Sequence, residues 1–169
     1  MLVIEFARNV AGMPEANTTE ADAKTPFPVI SLLSEQQGIH DMGGTMRLGG
    51  YNCRIVSNTK AAKAYPEKLI RERHRHRYEV NNTFLPQLEQ HGLIVSGWLE
   101  DGKLVEIVEL KDHPWMVAAQ FHPEFTSRPN HPNPLFLGFV DAAIKYQKNS
   151  NSNSKKLDTK QTSPKSKNY

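Results

Sequence analysis

Apolar and polar positions along the chain form blocks that predict both helices and strands. The opening residues, MLVIEFARNVAG, space their apolar positions as a helix does, and Gly12 suits a helix C-terminus. The Asp101-Gly102 link predicts a hairpin, so the part near 93–121 should be antiparallel. Apolar runs predict strands at 29–33, 93–99, 104–110 and 115–121, and residues 46–56 predict a strand or a hairpin next to a glycine-rich loop.

Three further segments have the pattern of helices. Residues 57–66 predict a short helix capped by Ser57 or Asn58, and residues 81–92 predict another that ends at Gly92. A closing helix is predicted at 134–147, with apolar residues at 135, 136, 139, 140, 143 and 144. Strands mixed with flanking helices are typical of an α/β layered fold with a central sheet.

The C-terminal segment differs in composition from the rest of the chain. Residues 149–169 are rich in Asn, Ser and Lys, with one Leu as the only aliphatic residue, which predicts a disordered tail. The 169 residues therefore divide into one domain at 1–148 and a tail at 149–169. The tail carries a charge of +4 and the whole chain +3, so the domain is close to neutral. The basic pI gives little support for binding to nucleic acid or to a membrane, and we expect neither.

Cysteine usage limits the possible chemistry further. The chain has one cysteine, Cys53, so neither a disulfide within the chain nor a CxxC metal pair can form. Its context, YNCRIV, predicts a core position on a strand. We expect no metal site in this chain and a reducing, cytoplasmic location, because neither a signal peptide nor a membrane span is visible.

The stretch AAQFHPEFTS places His122 and Glu124 at the end of a predicted strand. A histidine there can act as a general base, and a carboxylate on its other ring nitrogen would fix the tautomer and stabilise the imidazolium. Pro123 favours the turn that would bring the two side chains together. The alternative is a structural histidine that is hydrogen-bonded near a turn.

The run RERHRHRYEVNN, at 71–82, alternates arginine with histidine. On a strand, His74 and His76 would share one face, and Arg73, Arg75 and Arg77 the other. Arg77 could hold a carboxylate through two hydrogen bonds. Three alternatives remain open from the residues alone: a nucleic-acid surface, a metal site built on two histidines, and a solvated edge strand.

Two loops add weaker candidates. Glu20 ends the string ANTTE and is, by itself, a loop carboxylate. Gly43 and Gly44, in DMGGTMRLG, would allow a tight turn that brings the backbone close to a ligand.

The motifs TTE, DMGGTMRLG, RERHRHRYEVNN and QFHPEFTSRP occur here in the order found in CTP synthases. Residues 1–147 resemble the C-terminal class I glutamine amidotransferase domain of that family, a flavodoxin-like layered domain. The resemblance implies that His122 is the triad base and Glu124 the triad acid. It also implies that Glu20 and Arg77 bind the substrate glutamine, with Arg77 on its carboxylate.

The resemblance also implies which parts of the enzyme are missing. The family nucleophile is a cysteine in a G-x-C-x-G-M-Q turn, and the helix after that turn resembles MLVIEFARNV. We therefore expect a partial domain that begins just after the nucleophile. Loss of the nucleophile costs on the order of 10⁶ in rate in a serine-protease case, so we expect the isolated chain to be inactive.

The whole enzyme, by resemblance, makes CTP from UTP with ammonia taken from glutamine. ATP, Mg²⁺ and UTP would bind in a synthase domain outside this chain, which itself needs no cofactor, and the full-length protein would be a homotetramer. Two other hypotheses remain: a non-catalytic glutaminase remnant that regulates or binds a partner, and a small nucleic-acid-binding module built on RERHRHR and the tail.

Overall fold

Helices and strands alternate along the chain in the mixed order that the sequence predicted. This computed structural model describes residues 1–32 and 46–161. The helices are α1 (Leu2–Asn9), α2 (Lys60–Ala64), α3 (Leu85–Gln90) and α4 (Pro134–Gln161). The strands are β1 (Asn17–Thr18), β2 (Pro28–Ser31), β3 (Arg47–Ile55), β4 (Leu69–His76), β5 (Glu79–Val80), β6 (Leu93–Leu99), β7 (Val105–Leu110) and β8 (Val117–Ala119). Short 3₁₀ helices cover Asn82–Phe84 and Pro123–Phe125.

The main sheet has five antiparallel strands in the order β4-β3-β6-β7-β8. The predicted hairpin at Asp101-Gly102 is confirmed, because β6 and β7 pair from Leu93 with Leu110 to Trp98 with Val105. The antiparallel part is wider than predicted, since β3 and β4 belong to the same sheet. A smaller sheet has the order β1-β2-β5, in which β1 and β2 are parallel.

Hydrophobic packing covers both faces of the main sheet. One face packs against α1, α3 and the small sheet, and the other packs against α2 and the start of α4. The first cluster includes Val3, Phe6, Met13, Val29, Leu88, Val95 and Val108. The second includes Cys53, Ile55, Ala61, Tyr65, Ile107, Phe121 and Leu135. Burial of the sheet on both faces explains why β7, with the sequence VEIVEL, is buried over almost its whole length.

The N-terminus of α2 corrects one prediction. The cap is Thr59, whose hydroxyl accepts a hydrogen bond from the Ala62 amide at 3.0 Å, and not Ser57 or Asn58. Asn58 instead adopts a positive φ of 65°, which turns the chain into the helix.

Helix α4 is longer than predicted and packs less of its surface. It runs from Pro134 to Gln161 and so continues into the segment that composition predicted to be disordered. No proline or glycine lies between Gly138 and Pro164 to interrupt it. Of its predicted apolar positions, Leu135 is buried. The exposed ones include Phe136, Phe139, Val140 and Ile144.

Some expectations lie beyond what the structure describes. The predicted turn at Gly43 and Gly44 and the end of the predicted tail, 162–169, lie outside the described residues. Across 1–32 and 46–161, no helix is both long enough and apolar enough to cross a bilayer.

Candidate active site

The structure brings His122 and Glu124 together on the turn that follows β8. His122 Nδ1 lies 2.7 Å from Glu124 Oε1. A carboxylate only accepts hydrogen bonds, so Nδ1 carries the hydrogen and Nε2 of the neutral ring has a free lone pair. The side chains remain accessible, with 37% of His122 and 55% of Glu124 exposed. The pair can therefore accept a proton from a group that approaches from solvent.

The main chain and neighbouring rings fix the position of this pair. Phe121, which is buried, anchors the end of the strand, and the His122 amide donates to the Arg73 carbonyl at 2.9 Å. Pro123 starts a 3₁₀ turn that brings Glu124 back toward the histidine. The His122 ring also stacks on Phe125, with centroids 5.1 Å apart.

The electrostatics of the pair favour an ionised acid partner. The hydrogen bond from His122 holds the pKa of Glu124 below its ordinary value, and a backbone hydrogen bond acts in the same direction. An ionised Glu124 stabilises positive charge on the imidazole, which is what a general base requires of its partner.

The other two predicted site residues lie on different elements. Glu20 is exposed in the turn after β1, where its amide donates to Thr18 Oγ1 at 3.2 Å. Arg77 is half-buried in the bend between β4 and β5, one residue past the strand on which it was predicted to lie. Both residues flank the small sheet. Their roles in binding glutamine stay predictions.

Strand β4 confirms the alternation predicted for RERHRHR. His74 is buried, while Arg71, Arg73 and Arg75 are exposed. The strand lies at the edge of the sheet, as the solvated-edge-strand alternative predicted, but the face that carries the histidines points into the protein. Among the described residues, no group of three or more His, Cys, Asp or Glu side chains is placed to hold a metal ion.

The histidine face belongs to a buried polar cluster that sequence reasoning missed. The cluster consists of Arg47, His74, His76, Glu79, Glu106 and Gln120. Arg47 pairs with Glu106 at 2.7 Å and with Glu79 at 3.3 Å. Gln120 Nε2 donates to the Tyr78 carbonyl at 2.7 Å. The sequence feature that could have indicated this cluster is a charged residue inside a dense apolar run, as in VEIVEL. A carboxylate that is buried with such a run needs a hydrogen-bond donor or a positive charge beside it.

The two histidines of this cluster are neutral in the folded protein. His74 Nδ1 lies 2.9 Å from His76 Nε2, so one of these nitrogens carries the shared hydrogen. Burial, aided by the charge of Arg47, lowers the pKa of His74 to about 3 and that of His76 to about 4. Burial raises the pKa of Glu106 to about 7 against the opposing effect of Arg47. His74 Nε2 faces Glu106 Oε2 at 3.4 Å, without hydrogen-bond geometry.

The cysteine is placed as predicted, in the core. Cys53 is fully buried, and burial raises the pKa of its thiol to about 12, with Glu106 and Glu72 adding to the effect. A thiol of this kind is neither ionised nor accessible, so Cys53 is not a nucleophile.

Comparisons with known proteins place this chain in a family. Residues 1–142 match the family described as Glutamine amidotransferase class-I. The chain is 56% identical over 147 residues to the CTP synthase of Pelotomaculum thermopropionicum, covering 87% of this chain and 27% of that one. It is 59% identical over 143 residues to the CTP synthase of Thermomicrobium roseum, covering 85% and 26%. The chain thus spans about a quarter of the length of these curated relatives.

A solved structure supports the same assignment. The glutaminase domain of Trypanosoma brucei CTPS with bound acivicin has a TM-score of 0.79 and 37% sequence identity, covering 85% of this chain and 56% of that one. The chain belongs to the class I glutamine amidotransferase family and is similar, within it, to the glutaminase domain of CTP synthases.

Proposed function

We propose that this chain provides the general base and its acid partner to the glutaminase of a CTP synthase. The observation that carries the proposal is the 2.7 Å hydrogen bond between His122 and Glu124 on an accessible turn. The high identity of this chain to CTP synthases supports the choice within the family.

In the proposed reaction, His122 Nε2 takes the proton of a cysteine thiol, and Glu124 stabilises the resulting imidazolium. The thiolate attacks the side-chain carbonyl carbon of glutamine. His122 returns the proton to the departing nitrogen, and ammonia leaves. Water, activated by the same histidine, then hydrolyses the thioester to glutamate and restores the thiol.

The nucleophile of this reaction has to come from outside the 169 residues. The one cysteine of the chain is buried in a strand and has a raised pKa. We place the reacting thiol on a further segment of the same protein or on a partner.

Glutamine would be held through its charged main-chain groups. The planar guanidinium of Arg77 suits the substrate carboxylate, and the exposed carboxylate of Glu20 suits its ammonium group. Ammonia would then serve the ATP-dependent amination of UTP to CTP. That step, with its ATP, Mg²⁺ and UTP sites and a homotetrameric assembly, is assigned to the length of the relatives that this chain does not span. The cytoplasmic location stays a prediction.

The proposal is tested in the protein expressed as its native gene encodes it. His122→Asn and Glu124→Gln should abolish or strongly reduce glutamine-dependent CTP formation and glutamate release. CTP formation from added ammonium chloride should be unchanged, because free ammonia bypasses the glutaminase step. Normal glutamine hydrolysis by His122→Asn would refute the role of the histidine.

The alternative of a non-catalytic, regulatory remnant makes a different prediction. The intact mass of the native protein, with peptides ahead of Met1 that contain a Gly-x-Cys-x-Gly turn, would support the glutaminase. A native chain without such a turn, and without a partner that supplies a cysteine, would favour the regulatory hypothesis.

A further inference from the structure

A second carboxylate lies beneath the candidate active site and is not part of the reaction described above. Glu72 is on β4, between two exposed arginines, and only 4% of its surface is accessible. It accepts three hydrogen bonds from three different segments of the chain. All three neighbours are donors, so both oxygens of the carboxylate have hydrogen-bond partners inside the protein.

The three donors come from separate elements. The Tyr65 hydroxyl, at the end of α2, donates to Oε1 at 3.0 Å, and the Asn133 amide, just before α4, donates to Oε1 at 2.8 Å. The Thr126 hydroxyl donates to Oε2 at 2.7 Å. Thr126 follows the 3₁₀ turn Pro123–Phe125 directly, two residues after Glu124.

Strand β4 therefore holds both ends of the turn that carries the His–Glu pair. At the first end, the Arg73 carbonyl accepts the His122 amide at 2.9 Å. This carbonyl is available because β4 is an edge strand. At the second end, the carboxylate of Glu72, the residue before Arg73, accepts a hydrogen bond from the Thr126 hydroxyl.

We propose that Glu72 is a positioning residue for the glutaminase, which fixes the 122–126 turn through Thr126 and thereby holds Glu124 on His122. The role rests on the function proposed above. In the described part of the chain, Glu72 is hydrogen-bonded to Tyr65, Thr126 and Asn133 and not to the His122 imidazole, so it acts only through the turn. The other backbone hydrogen bonds of the turn are internal, such as Phe125 N to His122 O at 3.1 Å, and the tie at Arg73 holds only its first residue. Without the hydrogen bond to Glu72, the Thr126 side chain keeps, among the described residues, only the longer 3.3 Å hydrogen bond from the Asn133 amide as a tie to another element. The turn, and Glu124 with it, can then shift relative to His122.

Two variants test this role in the protein expressed as its native gene encodes it. Thr126→Val removes the donor and keeps the shape of the side chain, and Glu72→Gln places an amide opposite the same donors. In both, we expect the pKa of Glu124, followed by ¹³C NMR of its carboxyl carbon, to rise toward its ordinary value. We also expect kcat for glutamine to fall by about 10- to 100-fold, with KM little changed, because a misplacement of about 1 Å costs about that much.

Tyr65→Phe is the matched control. It removes a donor from the same carboxylate, but from Oε1, whereas Thr126 of the turn donates to Oε2. A loss of thermal stability without a change in the Glu124 pKa is expected. The double variant Glu72→Gln/Thr126→Val should be no worse in kcat than the more impaired single variant.

The possible outcomes separate this proposal from the proposed function. An unchanged Glu124 pKa in folded Thr126→Val would overturn the positioning role, whatever the activity. If glutamine hydrolysis survives His122→Asn, the proposed role of His122 as the base fails, but the NMR titration still decides whether Glu72 orders the turn. If Glu72→Gln does not fold, Thr126→Val alone gives the answer, since Thr126 is only half-buried.

Discussion

Acidification should destabilise this protein through its two buried histidines, and Glu106 should oppose that loss. Burial lowers the pKa of His74 to about 3 and of His76 to about 4, so both stay neutral in the folded state while they charge in the unfolded chain below pH about 6.5. Their contribution to stability is present above that pH and is lost as the pH falls. Burial raises the pKa of Glu106 to about 7, so the folded state binds its proton first and gains stability as the pH falls from about 7 toward 4.5.

The size of each contribution follows from these pKa values, at about 1.4 kcal/mol per pKa unit. Between pH 7.5 and 4.5, His74 and His76 bind nearly two protons in the unfolded chain but remain almost unprotonated in the folded protein. This difference lowers the free energy of unfolding by about 5 kcal/mol for the two histidines together. Protonation of Glu106 returns about 3 kcal/mol over the same interval. The net loss from the three groups is therefore about 2 kcal/mol.

The variant Glu106→Gln isolates this opposition. It retains an oxygen for Arg47 but has no proton to bind, so its stability should fall by about 3 kcal/mol more than that of the wild type between pH 7.5 and 4.5. Urea denaturation at a series of pH values, followed by tryptophan fluorescence, measures the difference directly. Glu67→Gln, at an exposed carboxylate, controls for the loss of one charge. If the plots of unfolding free energy against pH for the wild type and Glu106→Gln stay parallel, the pKa of Glu106 is not raised in the folded protein.

Three further outcomes test other parts of the structure. Cys53 should react with a thiol reagent such as DTNB only after unfolding, because less than about 1 in 10⁴ of its thiol is ionised at neutral pH. Fast labelling of the native protein would contradict the buried placement. Gly97→Ala should lower the free energy of unfolding by about 1–3 kcal/mol, because the added methyl would lie 2.8 Å from a side-chain carbon of Ile107. In the control Gly50→Ala, the methyl meets only a movable arginine side chain, so the loss measured by the same urea titration should be smaller. Arg47→Met should lower the free energy of unfolding by about 3–5 kcal/mol at pH 8, because it leaves two buried carboxylates without their arginine partner. A loss no larger than that of Arg75→Met, on the exposed face of β4, would refute the pairing.

Local chemistry made much of the site predictable from the sequence. The pairing of His122 with Glu124 depends on a spacing of two residues across a proline, so it is almost entirely a local property of the chain. The β6–β7 hairpin follows from Asp101-Gly102 for the same reason. Distances between Glu20, Arg77 and the pair depend on how separate elements pack, and spacing along the sequence contains no information about that.

The sequence alone determined the α/β class, the order of the elements, the burial of Cys53 and the His–Glu pair, because each depends on neighbours within a few residues or on the apolar pattern of one segment. Only the tertiary structure decided which face of RERHRHR points inward, since both faces are polar and only packing distinguishes them. It also revealed the Arg47–Glu106 pair and the three donors on Glu72, whose partners lie 7 to 61 positions away along the chain. Partners on separate elements meet only when the sheet assembles, so their pairing cannot be deduced from spacing along the chain. Such partners are required because a buried polar group without a hydrogen bond costs free energy.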